Sequence, residues 1–296
     1  MTVTETRQTS ELSREIAEAT DFLRARGVVA PEAGIVLGTG LGSLGESLVV
    51  DAVVPYREIP HFAASTVESH AGEWVSGRLA GRPVVVMRGR THYYEGYTMK
   101  QVTFPVRVLR ALGADTLLLT GAAGGLNPQF ALGDLCAVVD HVNLMGDNPL
   151  LGPNDESLGP RFPDMSEPYD RGLLALAQRV ALEQGVRLVQ GVFVGVAGPN
   201  LETAAEYRFL RQLGADVISM SIVPETLVAV HGGMRVMALV VVTDLCLPDR
   251  LEPVSIEKLV AVAGRATPAL DRVLVGVVAG GAKTRDSSQV EETRGR

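Results

Sequence analysis

Leu12, Ile16, Ala19 and Leu23 recur at three- and four-residue intervals, so the chain opens on an amphipathic helix that Gly27 stops. The pattern then changes. Gly34-Ile35-Val36-Leu37 is a short apolar run read as a buried strand, leading into the glycine-rich turn Gly38-Thr39-Gly40-Leu41-Gly42-Ser43-Leu44-Gly45. Strand-like runs follow at 84–88, 116–120, 135–140, 188–196, 216–222 and 235–243. Helical patterns lie between several of them, at 101–112, 169–184, 202–213 and 255–278, the first three ending near Gly113, Gly185 and Gly214. This alternation predicts an α/β fold on a mainly parallel or mixed sheet. Segments 60–72, 145–168 and 247–254, rich in Pro, Gly, Asn and Asp, are predicted loops long enough to serve as lids or binding loops. No internal repeat is visible. Residues 1–9 are polar and the stretch 281–296 is charged and polar, so both are expected to be disordered tails on a single domain spanning 10–280.

Composition narrows the function classes. At 296 residues, with 46% hydrophobic and 21% charged side chains, the chain can bury one large core and is not a disordered protein. Its net charge of −7 offers no general field for a nucleic-acid backbone or an anionic membrane, although a local basic pocket is compatible with it. Cys136 and Cys246 form no CxxC pair, which argues against a zinc site or a disulfide framework. The N-terminal stretch lacks an apolar signal core, and no apolar run reaches the roughly 18 residues of a membrane helix. The expectation is a cytoplasmic protein.

Five segments carry candidate chemistry. In the glycine-rich turn, backbone N–H groups can converge on an anion beside the Thr39 hydroxyl. Read as Gly40-x-Gly42-x-x-Gly45, with Asp51 and Glu58 downstream, it equally fits a dinucleotide fingerprint or a plain tight turn. The GxxxxGK[ST] loop of nucleotide triphosphatases is absent. Arg90-Thr91-His92-Tyr93-Tyr94-Glu95-Gly96-Tyr97 follows an apolar strand with a guanidinium fork for phosphate oxygens, a His donor and a Tyr able to bond a sugar hydroxyl. Thr120-Gly121-Ala122-Ala123-Gly124-Gly125-Leu126-Asn127 brings small residues to a strand end, where a ligand can touch backbone or the chain can simply turn tightly. Asp216 to Ser221 and Val242-Thr243-Asp244 are apolar strands closing on a hydroxyl or carboxylate. His61, His141 and His231 have no local constellation, and spacing alone leaves His70 open.

Together these segments resemble the trimeric purine nucleoside phosphorylase family over about residues 30–280. The resemblance rests on Gly38-Thr39-Gly40-Leu41-Gly42, Ser69-His70-Ala71-Gly72, Gly89-Arg90-Thr91-His92 with Tyr94-Glu95-Gly96-Tyr97, Thr103-Phe104-Pro105-Val106-Arg107, Ala122 to Asn127, Gly152-Pro153-Asn154-Asp155, Ala197-Gly198-Pro199 with Glu202-Thr203, and Met220-Ser221 with Val223-Pro224-Glu225. It implies a single α/β domain whose central mixed β-sheet curls into a distorted barrel flanked by helices, assembled as a homotrimer. It also implies metal-free phosphorolysis of purine nucleosides, with inorganic phosphate as co-substrate and no cofactor. By the same resemblance Thr39, His70, Arg90, His92, Ser221 and the Ala122 backbone correspond to a phosphate cradle, Tyr94, Met220 and Ile256 to sugar contacts, and Leu201, Glu202, Ile218, Thr243 and Asp244 to the base site. His92, Glu202 and Asp244 are the expected catalytic groups.

Departures from the family pattern bear on specificity. Gly121 stands where relatives often carry Asn, and Leu201 where an aromatic packs on the base. Asp244 replaces an Asn that suits 6-oxopurines, and as a carboxylate it would accept from a 6-amino group. Glu202 pulls the other way, because a carboxylate facing N1 pairs with the N1–H of hypoxanthine or guanine; a protonated Asp244 donating to N7 would remove the conflict. Ile256 takes the place of a His that touches the sugar 5′-hydroxyl, and an apolar side chain tolerates a 5′-methylthio group better. Inosine and guanosine are therefore the first expectation, with 5′-methylthioadenosine or adenosine phosphorolysis the alternative and a dinucleotide-binding protein a distant one.

Overall fold

The computed structural model of the chain describes residues 10–38, 40–41, 44–64 and 71–281. The expected tails at 1–9 and 281–296, except Gly281, which ends a helix, lie outside them, as do Thr39 and His70. Strand β1 (Ala33–Leu37) is buried along its whole length because it lies between parallel neighbours β4 (Arg82–Arg88) and β5 (Thr116–Gly125). Beyond β4 the sheet continues through antiparallel β3 (Glu73–Leu79) to the edge strand β2 (Leu48–Pro55). On the other side β5 pairs with both β8 (Val217–Ser219) and β9 (Arg235–Leu245), and β7 (Leu188–Val196) and β6 (Leu135–Leu144) complete the path from β8 back to β9. The nine-stranded mixed sheet thus closes on itself at the β5–β9 pairing, making a barrel with an open flap of strands attached. The expected α/β barrel is the observed fold.

Helices begin where side chains can satisfy their free N–H groups. Ser10 caps α1 (Glu11–Ala25), Thr98 and Gln101 form a capping box on α2 (Met99–Leu112), Asp170 caps α3 (Arg171–Glu183), and Thr203 with Glu206 caps α4 (Ala204–Gln212). Gly113, at φ 118°, ends α2 in the left-handed region. The last helix, α6 (Ile256–Gly281), buries Leu270, Val273, Leu274 and Val277 in the core and packs against α3.

The structure adds elements that the hydrophobic pattern did not predict. In β2, Val49, Val50 and Val53 are exposed, so the edge strand has no clean alternation to read. Its partner β3 carries Gly77, where a Cβ would collide with the Val49 carbonyl. Helix α5 (Val223–His231) is buried nearly all round and shows no amphipathic period. The strand expected at 216–222 stops at Ser219, because the chain turns sharply there to enter α5.

Two features of the sheet position the site. Register pairs Leu37 with Arg88 in the parallel β1–β4 ladder and Gly124 with Ile218 between β5 and β8, so these strand ends gather on one rim. In the β5–β9 ladder Ala123 opposes Val242 and Gly124 opposes Asp244, leaving Thr243 as a bulge that re-aims Asp244.

Candidate active site

Arg90 follows β4 through Gly89, whose φ of 101° is open only to glycine without strain and whose carbonyl accepts from the Tyr56 hydroxyl at 2.9 Å. The Arg90 side chain is 4% exposed. Its Nη2 donates to the Thr120 carbonyl on β5, and its Nη1 donates to Glu225 Oε2 at 2.9 Å. The same carboxylate oxygen accepts the Ile222 N–H at 3.0 Å. Ile222 sits at φ 70° and ψ −53°, with the Val223 N–H donating to the Ser221 carbonyl at 2.8 Å, which is a strained γ-turn rarely tolerated by a β-branched residue. Glu225 therefore fastens two elements at once, the Arg90 fork and the turn that presents Ser221. Breaking so deeply buried a pair costs about 3–5 kcal/mol in typical proteins.

The remaining strand ends meet at the same place. The Gly38 N–H donates to Thr120 Oγ1 at 3.1 Å, and Thr120 Oγ1 donates to the Val36 carbonyl at 3.0 Å. A Cβ on Gly38 would lie 2.7 Å from Gly121 Cα, so only glycine allows β1's turn to press on β5. A Cβ on Gly121 would in turn lie 3.7 Å from Ser221 Oγ. Thus Gly38 at the head of the glycine-rich turn, Arg90, the Thr120–Gly121 backbone and Ser221 occupy one neighbourhood, built from the ends of β1, β4 and β8 and the middle of β5. Donors and a guanidinium gathered on a strand-end rim suit an anion.

Beside this cluster His92 is buried, with its Nδ1 3.1 Å and its backbone N 2.7 Å from Glu95 Oε1. Its ring stacks on Tyr94 at 4.8 Å between centroids and 12° between planes. Burial raises the Tyr94 hydroxyl above its ordinary pKa, the Glu95 charge adds to this and the Arg90 charge opposes it.

The acidic residues lie further along the rim. Asp244 Oδ1 accepts from Thr243 Oγ1 at 3.1 Å, and Gly124 packs between its carboxylate and Ile218. Glu202, half-buried ahead of α4, has its carboxyl pKa raised by burial, with the Glu206 and Asp244 charges adding and its own backbone N–H and the Tyr207 hydroxyl opposing. A cavity of about 510 Å³ opens on the Asp244 side, lined by Thr243, Asp244 and the 250–255 loop. Hollows of about 550 and 720 Å³ elsewhere contain none of the expected phosphate-, sugar- or base-site residues, although Phe104, Arg107, Asn154 and Asp155 of the matching stretches line the first.

Met220 packs on the Gly198 turn, while Leu201 and Ile256 stand 47% and 70% exposed in the single chain. Glu225 stands in one of the matching stretches, and its role emerges only from these contacts. The available signal was a lone carboxylate inside the apolar run Val223 to Val230, which folding can bury only with a partner. Among the described residues no cluster of three His, Cys, Asp or Glu side chains could hold a metal ion, and no helix is long and apolar enough to cross a membrane.

Residues 32–279 match the phosphorylase superfamily. The chain is 50% identical over 230 residues to purine nucleoside phosphorylase 1 of Geobacillus stearothermophilus, covering 78% of this chain and 84% of that protein. With purine nucleoside phosphorylase 1 of Bacillus subtilis it is 43% identical over 264 residues, covering 89% and 97%. Among solved structures, the Schistosoma mansoni purine nucleoside phosphorylase in complex with adenosine superimposes at a TM-score of 0.86 with 36% identity, covering 92% of this chain and 98% of that one. A schistosoma enzyme in complex with hypoxanthine gives 0.85 and 37%, covering 90% and 97%. With the strand-end cluster, the barrel and these likenesses in agreement, the chain belongs to the phosphorylase superfamily, among its purine nucleoside phosphorylases.

Proposed function

We propose that the protein cleaves purine ribonucleosides and 2′-deoxyribonucleosides with inorganic phosphate, giving the free base and α-pentose 1-phosphate. The observation that carries this reading is the meeting of Arg90, the Gly38 turn, the β5 backbone and Ser221 at one point. Phosphate held there by Arg90, His92, Ser221, the Ala122 N–H and, from outside the described residues, Thr39 and His70 sits below the sugar C1′. As the C1′–N9 bond breaks, its electron pair moves to the purine and positive charge grows on the sugar ring, which the phosphate dianion stabilises before its oxygen bonds to C1′. The proton gained by the purine balances the one that hydrogen phosphate gives up. Glu202 and Asp244 address the base, with Leu201, Ile218 and Thr243 around it, and Tyr94, Met220 and Ile256 address the sugar. The donor set neutralises phosphate with side chains and backbone, so the reaction calls for no cofactor.

Inosine and guanosine come first, because the Glu202 carboxylate accepts the N1–H that both bases carry. Adenosine or 5′-methylthioadenosine is the second reading, favoured by the two oxygens of Asp244, each of which already receives a protein donor and offers further lone pairs to a 6-amino group. We place residues 10–280 in the catalytic domain and the reaction in cytoplasmic purine salvage. The family resemblance implies a homotrimer, in which Leu151 and Phe162, 60% and 86% exposed on the long 145–168 loop, are available for subunit contact; sedimentation at any mass other than three chains would remove it. Arg90→Ala and His92→Ala should each raise the phosphate KM at least about tenfold. Unchanged phosphate kinetics in both would withdraw their assignment.

A further inference from the structure

A buried polar pair lies beneath the two base-facing carboxylates. Tyr207 on α4 is 3% exposed and Cys246, just past β9, is 2% exposed. Both sit in a small apolar cluster with Leu126, Val194, Leu210 and Ile218, where polar atoms need partners. The Cys246 thiol donates to Asp244 Oδ2 at 3.2 Å. The Tyr207 hydroxyl lies near both the Cys246 sulfur and the Glu202 carboxylate, and its ring shares the apolar cluster with Cys246 and the cavity wall with Asp244. Strand β5 makes room for this arrangement: a Cβ at Gly124 would collide with Cys246 Sγ and approach Asp244 Oδ2 to 3.2 Å. Cys246 therefore braces Asp244 at the β9 bulge while the Tyr207 hydroxyl stands beside Glu202 ahead of α4, so two neighbouring buried groups back carboxylates that reach the site from separate elements.

The consequence is geometric. A carboxylate held at one oxygen can swing about its last torsion, but Asp244 is held at both, by Thr243 and by Cys246. Its remaining lone pairs then point in fixed directions, and those directions decide which purine edge finds a partner. Neither Tyr207 nor Cys246 needs to touch the substrate for this. Resting on the phosphorolysis reading above, we infer that Cys246 and Tyr207 are positioning residues for base selection, setting the ratio in which the site takes 6-aminopurine and 6-oxopurine nucleosides.

The test compares wild type with Cys246→Ser, Cys246→Ala and Tyr207→Phe, measuring kcat/KM for adenosine and inosine at saturating phosphate. Cys246→Ala, which frees Asp244, should lower the adenosine-to-inosine ratio about tenfold, and Tyr207→Phe, which frees Glu202, should raise it by a similar factor, while the phosphate KM stays put. Cys246→Ser, which keeps a donor in place, should retain the wild-type ratio within about twofold. A ratio unchanged in Tyr207→Phe and Cys246→Ala, or one that Ser fails to preserve, overturns the inference; Tyr207→Phe alone suffices if the alanine variant does not fold. The same ratio, read from calorimetric binding of free adenine and free hypoxanthine, does not depend on turnover. Absence of phosphorolysis would thus count against the reaction, and an unmoved binding ratio against the pair.

Discussion

At the scale of single residues, Arg90 and Glu225 show how burial turns a flexible side chain into a fixed tool. A guanidinium bonded on one side to Glu225 and on another to the Thr120 carbonyl has little rotamer freedom left to lose when an anion arrives. Glu225→Gln keeps the shape and removes the charge, so the phosphate KM should rise about tenfold while the nucleoside KM moves less than about threefold; equal rises in both would mean general loss of structure. Glu202 supplies a pH signature. Its carboxyl titrates above the ordinary range because burial opposes its charge, and the ionised form is the stronger acceptor for the N1–H of a 6-oxopurine. Inosine turnover should therefore fall on acidification with an acid limb above the usual 4.5, and the limb should vanish in Glu202→Gln. A limb that persists in that variant belongs to another group.

At the scale of elements, legibility followed local pattern. Amphipathic α1, capped α2 and α4, and the apolar run of β1 could be read because each carries its signal within its own residues. Helix α5 could not, since a helix buried on every side has no polar face to mark its period, and β2 could not, since exposed valines on an edge strand imitate nothing periodic. The same division runs through the site. Arg90, His92 and Ser221 stand in polar clusters at strand ends, whereas the roles of Glu225, Tyr207 and Cys246 come from contacts between distant segments, which spacing does not record. Helix α6 offers a prediction of its own. Asp271 has one oxygen buried without a hydrogen-bond partner among the described residues, and burial raises its pKa from 3.8 to about 6. Because the folded value lies above the unfolded one, the penalty is absent below about pH 4, grows as pH rises, and is complete above about pH 6. Asp271→Asn should gain about 1–2 kcal/mol at pH 8, after discounting for partial exposure, and close to nothing near pH 4, in urea unfolding at both pH values. A gain equal at the two pH values would assign the effect to packing.

At the scale of the whole molecule, the β5–β9 pairing is what makes distant sequence segments neighbours. Closing the barrel brings the Gly124 end of β5 between Ile218 and the Thr243 bulge, while the flap through β1 and β4 delivers the glycine-rich turn and Arg90 to the same rim. One end of that rim gathers donors and the other the carboxylates of Glu202 and Asp244; in the proposed reading a nucleoside bridging them would present its glycosidic bond to the phosphate. The direct measurement is purine release from inosine by the purified protein with and without inorganic phosphate, with the pentose product identified in each case. The account predicts hypoxanthine and ribose 1-phosphate in equal amounts, and no release when phosphate is left out. Release at the same rate without phosphate, with free ribose as the partner product, would contradict it.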